Sequence, residues 1–523
     1  MVMAGLLPTS PPAMTGCPDF PTEKEVTMLT FSGELAFGHQ LETFDVPAGT
    51  VSLSLSGTTL KQGFLYAYLY DARLQLRACM LWQKPEKTVV IGCESASLGG
   101  IAGEIPAGRW ELHIYNLEGE DRGHKPMQYR VDVTTSEIAD DENMGIQVPT
   151  VTSLNADNHI MFDYHAIKNP ASGWYRGDMH AHTVLSDGHN RLEAAVDIIA
   201  RQQLDFIFLT EHNICHPALP DGGRTLVLPG IEVTTDRGHF NVHGPAMGLA
   251  MRDADFSSEG VIRQGLAIAR GSELHGKPTG WGGGTISINH PMMKPWHWHF
   301  ADMPLVQVNT LEICCDPTWS TSPASTEAAL EVLSAIWNSG QKIYAVGGSD
   351  AHLEPQERNP QATEPSIYGD PSTFVFSRGL SGAGILTGLR QGHVYVERRC
   401  GLGVSINQGR VLPGQDVGDS ELNYHLSVAD RSASYYAECV ADGKVIAREQ
   451  ITPKGIDVDV DMQHQQWVRI DIRRGNLATL PADTRGEFEG VINPVFNGQH
   501  VRFAQPQVNT WGELMETMGK NGN

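Results

Sequence analysis

At 523 residues the chain exceeds what one hydrophobic core supports, and about two to four domains are expected. Its hydrophobic content of 41% and charged content of 19% are those of a globular protein. A formal charge of −23, from 38 Lys+Arg against 61 Asp+Glu, argues against nucleic acid and anionic membranes as partners.

Residues 1–25 carry neither a basic segment followed by an apolar run nor any other secretory signature, and read as a flexible Pro-containing leader. No apolar run approaches the ~20 residues of a membrane span. Of the eight cysteines only Cys314 and Cys315 are close, as buried strand residues. Without CxxC pairs, neither a zinc ribbon nor a disulfide framework is expected, and a cytoplasmic location is the default.

Residues 26–165 show short alternating segments such as Val51–Leu55 and Trp110–Tyr115, punctuated by Gly and Pro. That pattern predicts an N-terminal β-sandwich-like domain with a linker. From 166 to 400 strands and helices alternate. Asn190–Gln203 has apolar residues at helical spacing, and Asp205–Thr210 is an apolar strand running into Glu211-His212. Leu226–Val233 reads as a strand broken at Pro229-Gly230, and further strands run into His290 and into Ser349-Asp350-Ala351-His352. Val306–Ile313 is another strand, and Ala324–Asn338 and Ala383–Arg390 read as helices. A largely parallel sheet follows, with a central distorted β/α barrel as the expected architecture. Residues 401–523 return to short strands and predict a C-terminal β-rich, sandwich-like domain.

The chemistry is concentrated in the central region. His180 and His182 lie at i and i+2 on an extended segment, so both imidazoles face one side and can grip one ion. Asp187, His212, Glu232, His290, Asp350 and His352 lie at or just beyond predicted strand ends, where β/α barrels assemble their sites. His239, Asn241 and His243 share one strand face and compete for a further ligand position.

The ordered set His180, His182, Asp187, His212, Glu232, His290, Asp350 and His352 resembles the PHP (polymerase and histidinol phosphatase) metallohydrolase superfamily. The stretches Trp174–His182 and Glu232–Asn241 are similar to its carbaryl hydrolase-like (CehA/McbA) branch. The resemblance implies two or three divalent ions, with zinc, manganese and iron all suited to the donors. His180, His182 and Asp350 would hold the first ion, Glu232 would bridge to a second bound by His290 and His239, and Asp187, His212 and His352 would hold a third. Glu232, Asp350, His352 and His212 carry the catalytic roles. A metal-bridging hydroxide would then cut a carbamate- or ester-type bond of a small, aromatic substrate. Phosphomonoester or phosphodiester hydrolysis is the alternative, and a non-catalytic metal-stabilised binding protein the third reading.

Each residue also has a plainer reading. Asp187 can cap the following helix. Glu211 can point away from the ions and pair with a cation, and Asp178 sits behind the ligands. Trp296-His-Trp-His299 is a rim loop or an aromatic wall over the site; Lys294, Arg237 and Arg224 are loop cations or an anion clamp. Gly282-Gly-Gly284 reads as a flexible connection.

Overall fold

A computed structural model describes residues 26–520, apart from 61–62, 118, 120–125, 139–144, 147, 253, 271–272, 275–276, 279–282, 482–483, 500–502 and 504. The leader and Gly282 therefore lie outside the described residues.

The N-terminal region forms two four-stranded antiparallel sheets. One contains Val26–Leu35, Ser52–Thr59, Lys87–Gly92 and Met127–Ser136; the other contains Gly38–Val46, Leu65–Tyr70, Leu76–Trp82 and Gly108–Asn116. Alternation along the strands places Leu53, Leu55, Val131 and Val133 against Trp82 and Trp110 in a shared core. Leu65–Tyr70 is buried along its whole length. Leu65, Ala67 and Leu69 face the sandwich interior, whereas Tyr66, Tyr68 and Tyr70 join the core of the central region.

The central strands are β1 (Gly173–Asp178), β2 (Phe206–Leu209), β3 (Leu226–Thr235), β4 (Gly238–His243), β5 (Thr285–Ile288), β6 (Thr310–Cys315), β7 (Tyr344–Gly348), β8 (Ser372–Ser377) and β9 (Val394–Glu397). They belong to one 13-stranded sheet in the order β7-β6-β5-β4-β3-β2-β1-β8-β9, continued by Glu487–Phe496, Trp467–Arg474, Tyr435–Ala441 and Lys444–Gln450. The neighbours β1–β2–β3 and β5–β6–β7 are parallel, but β4 is antiparallel to both β3 and β5. The sheet curls until the ends of β1 and β7 meet, where the Asp350 N–H donates to the His180 carbonyl at 2.8 Å and Ala181 pairs with Ala351. Side chains complete the β7 edge: Thr373 bonds both backbone groups of Gly347, and Asn493 both of Ala345.

Helices α1 (Leu192–Gln202), α2 (Ser258–Arg270), α3 (Ser322–Asn338) and α4 (Gly382–Gln391) cover the sheet; α1 buries Leu192, Ala195, Ile198 and Ile199 at helical spacing. The expected strand–helix alternation is only partial, because no helix separates β2 from β3 or β3 from β4. The chain is multidomain and mostly β. Nor is β3 broken at Pro229-Gly230: it runs from Leu226 to Thr235 between β2 and β4, and beyond Gly230 it still bonds the chain that follows β2, with the Glu232 N–H donating to the Glu211 carbonyl and the Asn213 N–H to the Glu232 carbonyl. Proline has no N–H to give the ladder, and a Cβ at Gly230 would lie 2.7 Å from the Thr210 methyl.

Beyond residue 400, part of the chain extends the central sheet. Leu402–Ile406, Glu421–Val428 and Ile456–Asp461 form a second, three-stranded sheet that shares a core with it. A last helix, α5 (Trp511–Thr517), is capped by the Thr510 side chain. Among the described residues no helix is long and apolar enough to cross a membrane.

Candidate metal centre

The ends of the curled strands bring all nine expected ligands together around Glu232. Its Oε1 lies 3.2 Å from His180 Nε2, 3.1 Å from His239 Nδ1 and 3.5 Å from His290 Nε2. Its Oε2 lies 3.3 Å from His182 Nε2 and 2.9 Å from His212 Nδ1. Asp350 Oδ1 faces His180 Nε2 at 3.3 Å and His182 Nε2 at 3.1 Å. Asp187 Oδ1 faces His212 Nε2 at 3.4 Å and His352 Nε2 at 3.3 Å. Two four-residue clusters result, His180/His182/Glu232/Asp350 and His182/Asp187/His212/His352, with His182 common to both, and His212/Glu232/His239 forms a third.

Backbone geometry serves this convergence. His290 and Asp350, each two residues beyond the end of β5 or β7, adopt left-handed φ values of 28° and 48°. Non-glycine residues hold such angles at a cost that neighbouring structure must offset, and they gather at functional sites. Gly348 allows the closest approach: a Cβ there would lie 2.4 Å from the His180 Cβ and 2.6 Å from Glu312 Oε1.

The hydrogen bonds behind the rings test whether these donors suit metal ions. The Nδ1–H of His180 donates to Glu312 Oε1 at 3.0 Å, and the Nδ1–H of His352 donates to the Asp350 carbonyl at 2.7 Å. With those protons committed, each Nε2 of the neutral ring turns a lone pair toward carboxylate oxygens. Acceptors facing acceptors need a cation or an added proton between them. A carboxylate or carbonyl behind the ring is also the usual way of fixing a metal-binding tautomer. The donor set, imidazoles with bridging carboxylates, fits divalent zinc, manganese or iron.

Electrostatics give the same picture from the proton side. Burial lowers the affinity of His180 for a proton, but Asp350, Glu232 and Glu312 outweigh it and raise the pKa well above the usual value. Against the same burial, Asp187 and Glu232 raise His212, and Asp187 and Asp350 raise His352 to about 9. Burial opposes ionisation of Glu232, Asp187 and Asp350, yet the facing rings pull all three below their usual range.

This cluster predicts how the metal-free protein responds to pH. A ring with a raised folded pKa contributes stability that is complete below about pH 6.5 and lost as pH climbs through the folded value, about 9 for His352. The depressed carboxylates contribute stability present above about pH 4.5 and lost as pH falls toward their folded values. Burial lowers the pKa of His239 to about 4 and of His243 to about 3, which favours the fold as pH rises to about 6.5, so chelator-treated protein should melt highest near pH 6.5 and lose stability toward pH 9. Metal-loaded protein should not show the alkaline decline, because its rings bind as neutral bases and affinity grows with pH. Thermal melts across pH, with and without chelator, check this; a metal-free midpoint that rises from pH 6.5 to 9 would contradict it.

The supporting residues are equally defined. Asp178 is buried and accepts from the backbone N–H groups of His180, Ser349 and Gly369, so it ties β1, β7 and the 369 turn together behind the ligands. Glu211 points away from the cluster and accepts from Thr183, Ser186 and His216. Burial raises its pKa, but the His216 hydrogen bond and charge dominate and bring it to about 2. Asp187 caps no helix: α1 starts after Arg191 without a side-chain cap. Of the three same-face positions on β4, only His239 meets Glu232; Asn241 and His243 both donate to the Met179 carbonyl.

Sequence reasoning missed several contributors. Glu312 on β6 holds His180 through one oxygen and accepts the His290 N–H at 2.9 Å through the other. A carboxylate inside the apolar run TLEICC was the available signal, since a buried charge needs a partner. Cys315 donates to Asp350 Oδ2 at 3.2 Å, and Asn289 to Glu232 Oε1 at 2.9 Å. Lys87, reaching across from the N-terminal sandwich, donates to the Ser186 carbonyl beside Asp187; burial lowers its pKa to about 8 despite Asp187 and Glu211.

The cluster opens into a cavity of about 420 Å³. Apolar side chains lining it include Phe64, Leu117, Met293, Trp296, Trp319 and Leu353, and Asp236, Asp316 and Asn359 add polar groups. Among its described lining residues there is no lysine or arginine. Lys294, His297, Trp298 and His299 instead border a separate groove against α5. Trp298 is a core residue packed edge-on to Phe240, so within the Trp296–His299 loop only Trp296 walls the metal cavity. Arg224 is exposed on the turn preceding β3.

No protein-family model and no curated protein matches the sequence. Among solved structures, the chain is similar to a two-domain protein of Bacteroides vulgatus containing a predicted PHP-like metal-dependent phosphoesterase, at 15% identity over 63% of this chain and 98% of that one, with a TM-score of 0.34. It is also similar to an amidohydrolase of Chromobacterium violaceum, at 18% identity over 36% of this chain and 93% of that one, with a TM-score of 0.20. At such scores the likeness assigns no activity.

Proposed function

We propose that the protein is a metal-dependent hydrolase of PHP type, the curled strands β1–β7 forming its distorted barrel, and that it cleaves a carbamate- or ester-type bond of a small aromatic substrate. His180, His182 and Asp350 would hold one divalent ion, Glu232, His239 and His290 would hold another, and Asp187, His212 and His352 would complete a third position. Ions bound there would supply Lewis acidity at the scissile carbonyl and an acidified water as nucleophile. Glu312 and the Asp350 carbonyl keep the His180 and His352 rings in the binding tautomer. If two ions suffice, His212 and His352, which line the cavity, orient the substrate and move a proton at Nε2.

The observation that carries the choice of bond is the cavity wall. An anionic phosphoester gains from cationic clamps, whereas a neutral aryl group gains from an apolar surface. The wall offers aromatic and aliphatic side chains and no lysine or arginine among its described residues. Elemental analysis combined with a panel of 1-naphthyl N-methylcarbamate, 1-naphthyl acetate, an aryl phosphate and an aryl phosphodiester tests this reading. Chelator-sensitive turnover of the carbamate or acetate is expected. Hydrolysis of the phosphates alone would overturn it in favour of a phosphoesterase.

A further inference from the structure

We propose that the N-terminal sandwich is a working part of this cavity, with Phe64 and Leu117 forming the wall against which the aryl group of the substrate packs. The inference rests on the hydrolase reading above and adds to it the residues that determine substrate size and shape.

Phe64 directly precedes the strand Leu65–Tyr70, and Leu117 directly follows the strand Gly108–Asn116. These strands are antiparallel neighbours with Tyr66 opposite Tyr115, so the two residues meet at one end of the sheet. That end lies over the metal centre: the Phe64 ring is near-parallel to the His212 ring, at 26° with centroids 6.2 Å apart. Tyr66 of the sandwich also lines the cavity, whereas Trp296 and Trp319 come from the central region and pack edge to face at 5.8 Å. An aryl group entering the cavity therefore meets apolar surface from both units.

The sandwich is seated firmly enough to shape a pocket. The Tyr68 hydroxyl donates to the Asn213 carbonyl at 2.8 Å, one residue after His212, and the Tyr115 hydroxyl donates to the Met251 carbonyl at 2.7 Å. Tyr66 and Tyr68 share a core with Ile231, Val233 and Phe240 on β3 and β4, the strands that carry Glu232 and His239. Lys87 supports the Asp187 loop from the same unit. A module tethered only for binding elsewhere would not bury its tyrosines against the strands that bear the ligands.

The test compares wild type with Phe64→Ala, Leu117→Ala and, as a variant that keeps bulk but removes the aromatic face, Phe64→Leu. Two quantities are read in metal-loaded protein: the kcat/KM ratio for 1-naphthyl acetate over ethyl acetate, and the Kd of 1-naphthol by its fluorescence. Removing a buried ring contact should lower the ratio and weaken 1-naphthol binding on the order of tenfold. Leu41→Ala, on an exposed position of the same sandwich, should change neither. An unchanged Kd for 1-naphthol in both alanine variants, or equal losses for the two esters, would overturn the proposal. If wild type hydrolyses neither these esters nor 1-naphthyl N-methylcarbamate, the hydrolase reading fails, and 1-naphthol binding still decides the wall.

Discussion

Asp350→Asn should reduce turnover by on the order of a thousandfold while the protein keeps its fold. Asp350 Oδ1 is the point on which His180 Nε2 and His182 Nε2 both converge, so losing its charge leaves Glu232 as the remaining carboxylate of that four-residue cluster. Asparagine is the informative replacement. At φ 48° the backbone is left-handed, a conformation that asparagine tolerates and alanine resists, so Asp350→Ala would mix loss of a ligand with backbone strain. The side-chain amide also nearly preserves the shape of the carboxylate. Steady-state kinetics with metal content measured on the same samples check the prediction. Wild-type turnover in a metal-stripped Asp350→Asn protein would sink the ligand assignment.

Glu312→Gln should weaken metal binding by about 10–100-fold, the usual cost of removing the partner behind a ligating histidine. The carboxylate accepts the His180 Nδ1–H and the His290 backbone N–H together, which orients two ligands carried past the ends of β1 and β5. Glutamine can still accept at one oxygen, but its NH2 group cannot accept at the other position. Either the ring or the His290 backbone then loses its partner. Competition with a chromophoric chelator gives the affinity directly. An unchanged affinity would show that Glu312 is a buried bystander.

Much of the site was legible because ligands at strand ends leave a signature in one dimension. The apolar run ending in Glu211-His212 and the strand ending in Ser349-Asp350-Ala351-His352 each announce a turn from core to site. The i, i+2 spacing of His180 and His182 fixes a common side. The choice of His239 over His243 followed from family resemblance, whereas the physical reason is register: His239 stands beside the β3–β4 turn near Glu232, and His243 lies deeper, over the Met179 carbonyl. Glu312 showed in the sequence only as a carboxylate inside an apolar strand, because its partner His180 lies in a distant part of the chain. The β3 course was misread because Pro229-Gly230 looks the same whether a strand ends there or runs on through it. The sandwich wall was hidden for a related reason: in FLYAYLY both faces are apolar, which shows that both are covered but not by what.

Metal dependence is tested most directly by metal titration of the chelated wild-type protein with turnover of 1-naphthyl N-methylcarbamate and 1-naphthyl acetate followed at each addition. No activity is expected without metal, and full activity at two to three equivalents of one divalent ion per chain, fitting the paired and third positions around Glu232 and Asp187. Full turnover in protein holding less than about a tenth of an equivalent would contradict it.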